Sequence, residues 1–311
     1  MQTIKRKLTM LYDAIIVGGS FAGLSAALQI ARARRNVLVI DAGSPRNRFA
    51  SHAHGMLAQD GKPGTEILAT AAKQLLAYPT AQIFKCKATA VARKGNDFVV
   101  EVEDGARWFT SRRLLLATGV ADNLPDVPGL QERWGSTVLH CPYCHGYELG
   151  GGPIGVLGVS AMSVHQALVV ADWGDVTLFA GKAVSIDEEQ RAMLARRKVK
   201  VEPVAVAALE GDALAIDVGL VDGRRIALRA VFVGGGVRPV SPFAQMLGCA
   251  MDETPMGQTV QTDALKQTTV PGVYAAGDAA GMRHSISLAA GDGALAGTML
   301  HQSLVAEDAR G

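Results

Sequence analysis

Cys141-Pro-Tyr-Cys144-His145 places two thiols and an imidazole within five consecutive residues. Two cysteines at this spacing can share a metal, close a structural disulfide, or trade electrons as a dithiol/disulfide pair. A zinc cage asks for a second pair of ligands at similar spacing. The chain has four cysteines, and the other two, Cys86 and Cys249, stand alone and read as buried or idle thiols. His140 and His145 flank the pair, but four ligands drawn from adjacent residues make a strained cage, so no metal is expected. A structural disulfide closing so short a loop removes little chain entropy. A redox pair is the favoured reading. At a helix start the dipole and the neighbouring thiol lower one thiol's pKa, and the thiolate is the species that attacks a disulfide.

Such a pair needs elements to hold it and an electron partner to serve. The run YDAIIV is a short apolar stretch of the kind buried in a parallel sheet. GGSFAG follows, then a segment with apolar residues at helical spacing, then NVLVID, which ends in Asp41. Strand, glycine turn, helix, strand and terminal acid make a dinucleotide fingerprint. Glycines let the backbone approach a pyrophosphate, the helix start offers N–H groups, and Asp41 can accept hydrogen bonds from a ribose. Ser20 stands where the second glycine is usual.

Residues 81 to 116 alternate as β structure, the last strand running on into Ala117-Thr118-Gly119 of LLLATG. The proline-rich NLPDVPGL reads as a domain boundary. Beyond it, PIGVLGVSAMSVHQALVVADWGDVTLFAGK is a second βαβ unit with a helix from about 161 to 171. Residues 199 to 233 are again strand-like, VPGVYAAGDAA gives a short strand and a glycine-acid turn, and SISLAAGDGALAGTMLHQSL reads as a helix. The expected class is therefore α/β with two Rossmann-like dinucleotide-binding folds.

A length of 311 residues suits two modest domains, and 35 glycines suit many tight strand-to-helix turns. A net charge of +2 predicts neither a nucleic-acid nor an anionic-membrane partner. No apolar run approaches the roughly 20 residues of a membrane span. The basic lead MQTIKRKLTM runs into the first glycine turn without a small-residue cleavage site, so the expected location is the cytoplasm, with Met10 an alternative start.

Four motifs in order, the glycine turn of residues 18 to 23, LLLATG, CPYC after a proline-rich linker, and GVYAAGD, resemble the low-molecular-weight thioredoxin reductase family of flavoproteins. The resemblance spans nearly the whole chain. It implies FAD as cofactor, a homodimer, and the second fold inserted into the first in a three-layer ββα arrangement. The FAD-binding domain would comprise residues 1–120 and 241–311, and the inserted domain, 121–240, would carry the cysteines. By this resemblance Gly18, Gly19, Ser20, Ala22 and Gly23 cradle the pyrophosphate and Asp41 holds the adenosine ribose. Gly119 lies at the cofactor, and Asp278 binds the ribityl or phosphate region. Ser285 and Ile286 present backbone N–H groups to the isoalloxazine. Arg46, Asn47 and His54 line the flavin, with solvated loop residues as the alternative. Cys144 is the flavin-proximal thiolate and Cys141 the outer sulfur that exchanges with substrate. His145 stands where thioredoxin reductases carry Asp. An imidazole with an ordinary pKa of roughly 6.5 suits a proton shuttle, the alternative being a capping or packing role.

The second βαβ departs from a pyridine-nucleotide site. Its turn reads Gly158-Val-Ser160-Ala-Met-Ser163, and after DVTLFA comes Gly181-Lys182-Ala183, with neither an acid for NADH nor an arginine pair for NADPH. Lys182 offers one flexible ammonium in place of a guanidinium fork, and Arg191 is too far along. CPYCHGYE together with DAGSPRNRF and HAHG is similar to the dithiol-oxidase branch that closes disulfides in gliotoxin, holomycin and romidepsin. That implies a small-molecule or peptide dithiol as substrate and oxygen as electron acceptor, giving hydrogen peroxide. The alternatives are a thioredoxin reductase driven by NADPH or ferredoxin, and a non-catalytic flavin regulator with CPYC as redox sensor.

Overall fold

The computed structural model describes residues 10–103, 107–212 and 214–311. The basic lead of residues 1–9, and with it the question of the start, lies outside them, as do residues 104–106 of the β-rich stretch.

The first βαβ forms as its pattern predicts. β1 (Leu11–Val17), α1 (Phe21–Arg32) and β2 (Val37–Asp41) are followed by a 3-10 turn (Arg46–Phe49), α2 (Gly64–Leu76) and β3 (Ala81–Lys85). β4 (Ala88–Lys94), β5 (Asp97–Val102) and β6 (Trp108–Leu116) make a meander that feeds β7 (Val120–Asp122). The sheet order is β3-β2-β1-β6-β5-β4. β1 is parallel to β2 and to β6, and β5 is antiparallel to β6. The central strand is covered on both faces, which explains its unbroken apolar run: Ala14, Ile15 and Ile16 are fully buried.

The cysteine segment comes next. β8 (Val138–Leu139) leads into α3 (Pro142–His145). Then follow β9 (Pro153–Leu157), α4 (Met162–Val170), β10 (Asp175–Phe179), α5 (Glu188–Arg196) and β11 (Lys200–Glu202). β12 (Val206–Gly211), β13 (Ile216–Leu220) and β14 (Arg225–Leu228) form an antiparallel sheet, and β15 (Ala230–Val233) rejoins the parallel one, whose order is β11-β10-β9-β15-β8. Phe179, Phe232 and Val156 fill the core around this sheet.

The chain ends with β16 (Val237–Pro239), α6 (Phe243–Met246), β17 (Met251–Thr254), β18 (Gly257–Val260), β19 (Val273–Ala275) and α7 (Ile286–Asp308). β19 pairs in parallel with the C-terminal half of β6, whose N-terminal half pairs with β5. α7 lies directly against α1. A Cβ on Gly293 would overlap the Ala22 backbone and one on Gly297 the Ala26 backbone, so small residues on both helices set this approach.

The contacts divide the chain into two units. One holds the described residues up to Arg48, Gly64–Ala121 and Val237–Gly311; the other holds Phe49–Pro63 and Asp122–Gly236. The segment Phe49–Pro63 differs from the sequence expectation, which left it with the first fold. Phe49 packs where a Cβ on Gly135 would be, and an antiparallel bridge joins Ala53 to Lys62. No helix among the described residues is long and apolar enough to cross a membrane.

Candidate active site

In the first unit the glycine turn is closed by its own backbone. Gly18 has φ 109°, and a Cβ there would strike the Ala117 carbonyl oxygen. A Cβ on Gly23 would strike the Gly18 carbonyl, and one on Gly19 would come 2.6 Å from Asp41 Cγ. Asp41 Oδ1 accepts the N–H of Gly19 at 3.3 Å and of Gly43 at 3.1 Å, while Oδ2 pairs with Lys85. Ser20 takes the N-cap place of α1 and its carbonyl starts the helix, accepting Leu24 N–H at 2.9 Å; its hydroxyl makes no capping bond. Ala22 packs beneath Gly277, where a Cβ would come 2.8 Å from the alanine methyl.

A second group of expected residues meets at the end of β19. Asp278 lies in a 3-10 turn, Gly277–Ala279, and its Oδ2 is 3.0 Å from Arg46 Nη1, each side chain 20% exposed. Gly277 N–H donates to Asp292 Oδ2 at 2.8 Å, and Asp292 Oδ1 pairs with Lys266 Nζ at 2.5 Å. Sequence reasoning missed Asp292 and Lys266. The only trace of Asp292 was Gly-Asp-Gly inside a helical pattern, three poor helix formers in a row. Ser285 is the N-cap of α7 and its Oγ accepts Leu288 N–H at 3.1 Å, so Ile286 opens the helix as expected. Asn47 covers Gly64, its Nδ2 2.7 Å from where a Cβ would stand. Gly119 has φ 69° and open space beside it.

In the second unit Cys141 and Cys144 form a disulfide, with Cα atoms 5.3 Å apart. Cys141 is the N-cap of α3 and Pro142 its first residue, a place where the missing proline N–H costs nothing. Gly146 N–H closes the turn on the Pro142 carbonyl at 2.7 Å. The helix is only four residues long, so its dipole is slight and the neighbouring side chains carry more of the electrostatics. Trp173 lies against Gly146 and meets Tyr143 edge to face, ring centroids 5.3 Å apart. His145 is half-buried. Burial pushes its pKa below the ordinary histidine value, Glu148 pulls it back up, and His54 and His140 push it down. His140 Nδ1 is 3.2 Å from the Val233 carbonyl, and Gln166 Nε2 donates to the His140 carbonyl at 3.1 Å. His54 lies in this unit, facing Asp60 and Glu148.

Among the described residues no cluster of His, Cys, Asp or Glu is arranged to hold a metal ion. Cys86 and Cys249 are free thiols. Burial pushes the Cys249 pKa up, and its thiol donates to Thr268 Oγ1 at 3.4 Å.

The second nucleotide-type turn is occupied from within. Ser163 is buried, 1% exposed, and its Oγ accepts Val159 N–H at 3.0 Å and Ser160 N–H at 3.3 Å. These turn N–H groups are the kind a dinucleotide fingerprint offers to a pyrophosphate. At the C-terminal end of β11, two strands away in the sheet, Glu202 is held by two hydrogen bonds from Arg224, at 2.7 and 3.0 Å.

Residues 12–293 match the pyridine nucleotide-disulphide oxidoreductase family, and the chain belongs to it. It is thus an FAD-binding oxidoreductase of the thioredoxin reductase-like kind. It is 35% identical to a thioredoxin reductase, tcpT, of Claviceps purpurea (strain 20.1), over 95% of each chain. The oxidoreductase from Agrobacterium tumefaciens is a structural neighbour with 50% identity and a TM-score of 0.91, over 95% of this chain and 99% of that one. HlmI is another, with 36% identity and a TM-score of 0.90, over 96% and 94%. The family and cofactor expected from the ordered motifs are borne out.

Proposed function

We propose that the protein is an FAD-dependent dithiol oxidase. Its Cys141–Cys144 disulfide oxidises a small-molecule or peptide dithiol. The single observation that carries the direction of electron flow is Ser163. Its hydroxyl takes up the Val159 and Ser160 N–H groups of that turn, and Gly181-Lys182-Ala183 after β10 offers no arginine pair. Electrons then enter from thiols rather than from NADPH.

The first unit supplies the FAD site in this reading. Gly18, Gly19 and Gly23 leave no room for a Cβ, and Asp41 is fixed beside them, a cradle that fits a pyrophosphate with a ribose alongside. Ser20 and Ala22 would border the pyrophosphate, Asp278 with Arg46 would hold the ribityl-phosphate region, and Ser285 and Ile286 would offer the N–H groups that open α7 to the ring. FAD held there would supply a two-electron acceptor for the reduced cysteine pair, with oxygen as the final acceptor and hydrogen peroxide as its product.

The cysteines do the exchange. A substrate thiolate attacks Cys141 Sγ, the Cys141–Cys144 bond breaks, and Cys144 leaves as the thiolate that would reduce the flavin. The second substrate sulfur attacks the first, releasing the cyclised or paired disulfide and freeing Cys141 Sγ. His145, kept neutral to lower pH by burial, takes the thiol proton.

The test is anaerobic mixing of the yellow protein with NADPH or with a simple dithiol, followed by air. Bleaching by dithiol alone, with peroxide formed on aeration, is the expected result. Rapid bleaching by NADPH overturns it in favour of thioredoxin reductase. That second reading is favoured by the names of relatives such as the Listeria monocytogenes thioredoxin reductase, 28% identical over 96% of this chain.

A further inference from the structure

The chain reaches Cys141 through β8, two residues at the end of the parallel sheet, paired with β15 as Leu139 with Phe232. Past the strand, two side chains take over the anchoring. His140 Nδ1 is 3.2 Å from the Val233 carbonyl. A carbonyl only accepts, so Nδ1 carries the proton and donates it. Gln166 Nε2 donates to the His140 carbonyl at 3.1 Å. The Cys141 carbonyl in turn accepts the Cys144 N–H at 3.3 Å. The peptide groups on both sides of the Cys141 Cα are therefore held, and with them the direction in which its side chain leaves the backbone.

Gln166 lies on α4 three residues after Ser163, so the two share a face of the helix. In a dinucleotide fold this helix start, at the C-terminal ends of the strands, serves the pyrophosphate. Here Ser163 fills the turn and Gln166 reaches across to the redox segment. A Cβ on Gly234, the residue after β15, would stand 3.2 Å from Gln166 Oε1, so the glycine leaves the room that the amide uses. Among the described residues, Gln166 Oε1 is buried without a hydrogen-bond partner. Turning the amide over would set its oxygen against the His140 carbonyl, so that contact fixes its orientation. A buried acceptor left unpaired is unfavourable, and local rules of this kind are broken mainly where function requires it.

We propose that Gln166 is a positioning residue for Cys141: by holding the His140 carbonyl, its amide keeps the Cys141 sulfur in bonding range of Cys144 and biases the pair toward the disulfide. The proposal rests on the thiol-exchange half of the reading above, not on the direction of electron flow. Gln166 acts through the backbone of His140. Two thiols held in bonding geometry present each other at high effective concentration. Freeing the segment around residue 141 lowers that concentration and shifts the equilibrium toward the dithiol.

Two measurements on the full-length, FAD-loaded protein test this. The first is anaerobic equilibration in glutathione buffers of fixed ratio, quenched by alkylation to count the thiols at Cys141 and Cys144. Two glutathione thiols reduce the pair to two thiols and leave as glutathione disulfide, so the count reads the equilibrium. Gln166→Met keeps the length and loses the donor. It should shift the equilibrium toward the dithiol by about three- to tenfold, the equivalent of one neutral hydrogen bond. Gln166→Glu, with a carboxylate facing the carbonyl, should shift it at least as far. The flavin spectrum should stay unchanged, and melting temperature shows that each variant is folded. A wild-type equilibrium in either folded variant overturns the proposal. The second measurement needs no folded variant. In glutamine-labelled wild-type protein, reducing the pair should move the Gln166 side-chain amide resonances in the NMR spectrum, and resonances that stay in place overturn the proposal as well. A wild-type disulfide inert to glutathione overturns the exchange reading and the proposal with it. Failure of the proposal alone is told apart by a reactive pair whose equilibrium ignores Gln166.

Discussion

Arg46 and Asp278, 232 positions apart in sequence, meet at 3.0 Å in the first unit, each side chain 20% exposed. The pair ties the segment after β2 to the turn after β19, and the proposed flavin site takes residues from both. Asp278→Asn should cost about 1–3 kcal/mol, the range for a charged hydrogen bond or a partly buried group left short of its partner. It should also lower the fraction of protein that retains FAD through purification. Denaturant unfolding and the ratio of flavin to protein absorbance measure the two effects.

Ser163 Oγ satisfies two backbone N–H groups in a buried turn. Ser163→Ala leaves both without that acceptor and should destabilise the second unit by roughly 1–3 kcal/mol. It should not confer NADPH-driven bleaching, because Gly181-Lys182-Ala183 still offers no guanidinium pair for a 2′-phosphate. Thermal unfolding and an anaerobic NADPH titration of the variant check both halves.

His145 has a pH signature of definite sign. Its folded pKa lies below the ordinary histidine value because burial disfavours the imidazolium. The unfolded chain therefore binds more protons between the folded pKa and roughly 6.5, and stability rises with pH across that window. Its contribution is complete above the unfolded value and is lost as pH falls toward the folded one. His145→Asn should flatten that part of the stability-versus-pH curve, and unfolding midpoints at a series of pH values show whether it does.

The approach of α7 to α1 depends on glycine. Gly297 faces the Ala26 backbone so closely that any Cβ overlaps it. Gly297→Val should cost about 1–3 kcal/mol or more by overpacking. By pushing α7 from Ala22 and Ala26 it should also loosen flavin retention. Melting temperature with and without added FAD separates the two effects, since added ligand recovers only the binding part.

Cys144→Ser should keep bound FAD, because the glycine turn and Asp41 belong to the other unit, and abolish dithiol turnover, because the disulfide cannot form. Flavin content and oxygen uptake with dithiothreitol measure this; undiminished oxygen uptake would remove the assigned thiol roles.

The sequence by itself determined the local features. Apolar runs, glycine turns and helical spacing located both βαβ units, since periodicity and turn chemistry act between residues close in the chain. The spacing of Cys141 and Cys144 and the order of four motifs were enough for the family and its cofactor. The tertiary structure decided what depends on distant residues. Arg46 meeting Asp278, Asp292 holding Gly277, and Phe49–Pro63 joining the second unit each require contacts that no window of sequence contains. His54 is the clearest case: its motif pointed to a loop near the flavin, while its imidazole faces the Asp60 and Glu148 carboxylates. Ser163 shows the limit even at short range. Its position in the turn was visible, but whether its hydroxyl pointed to solvent or back at Val159 and Ser160 was a matter of rotamer and burial, fixed by the packing of α4 on the parallel sheet.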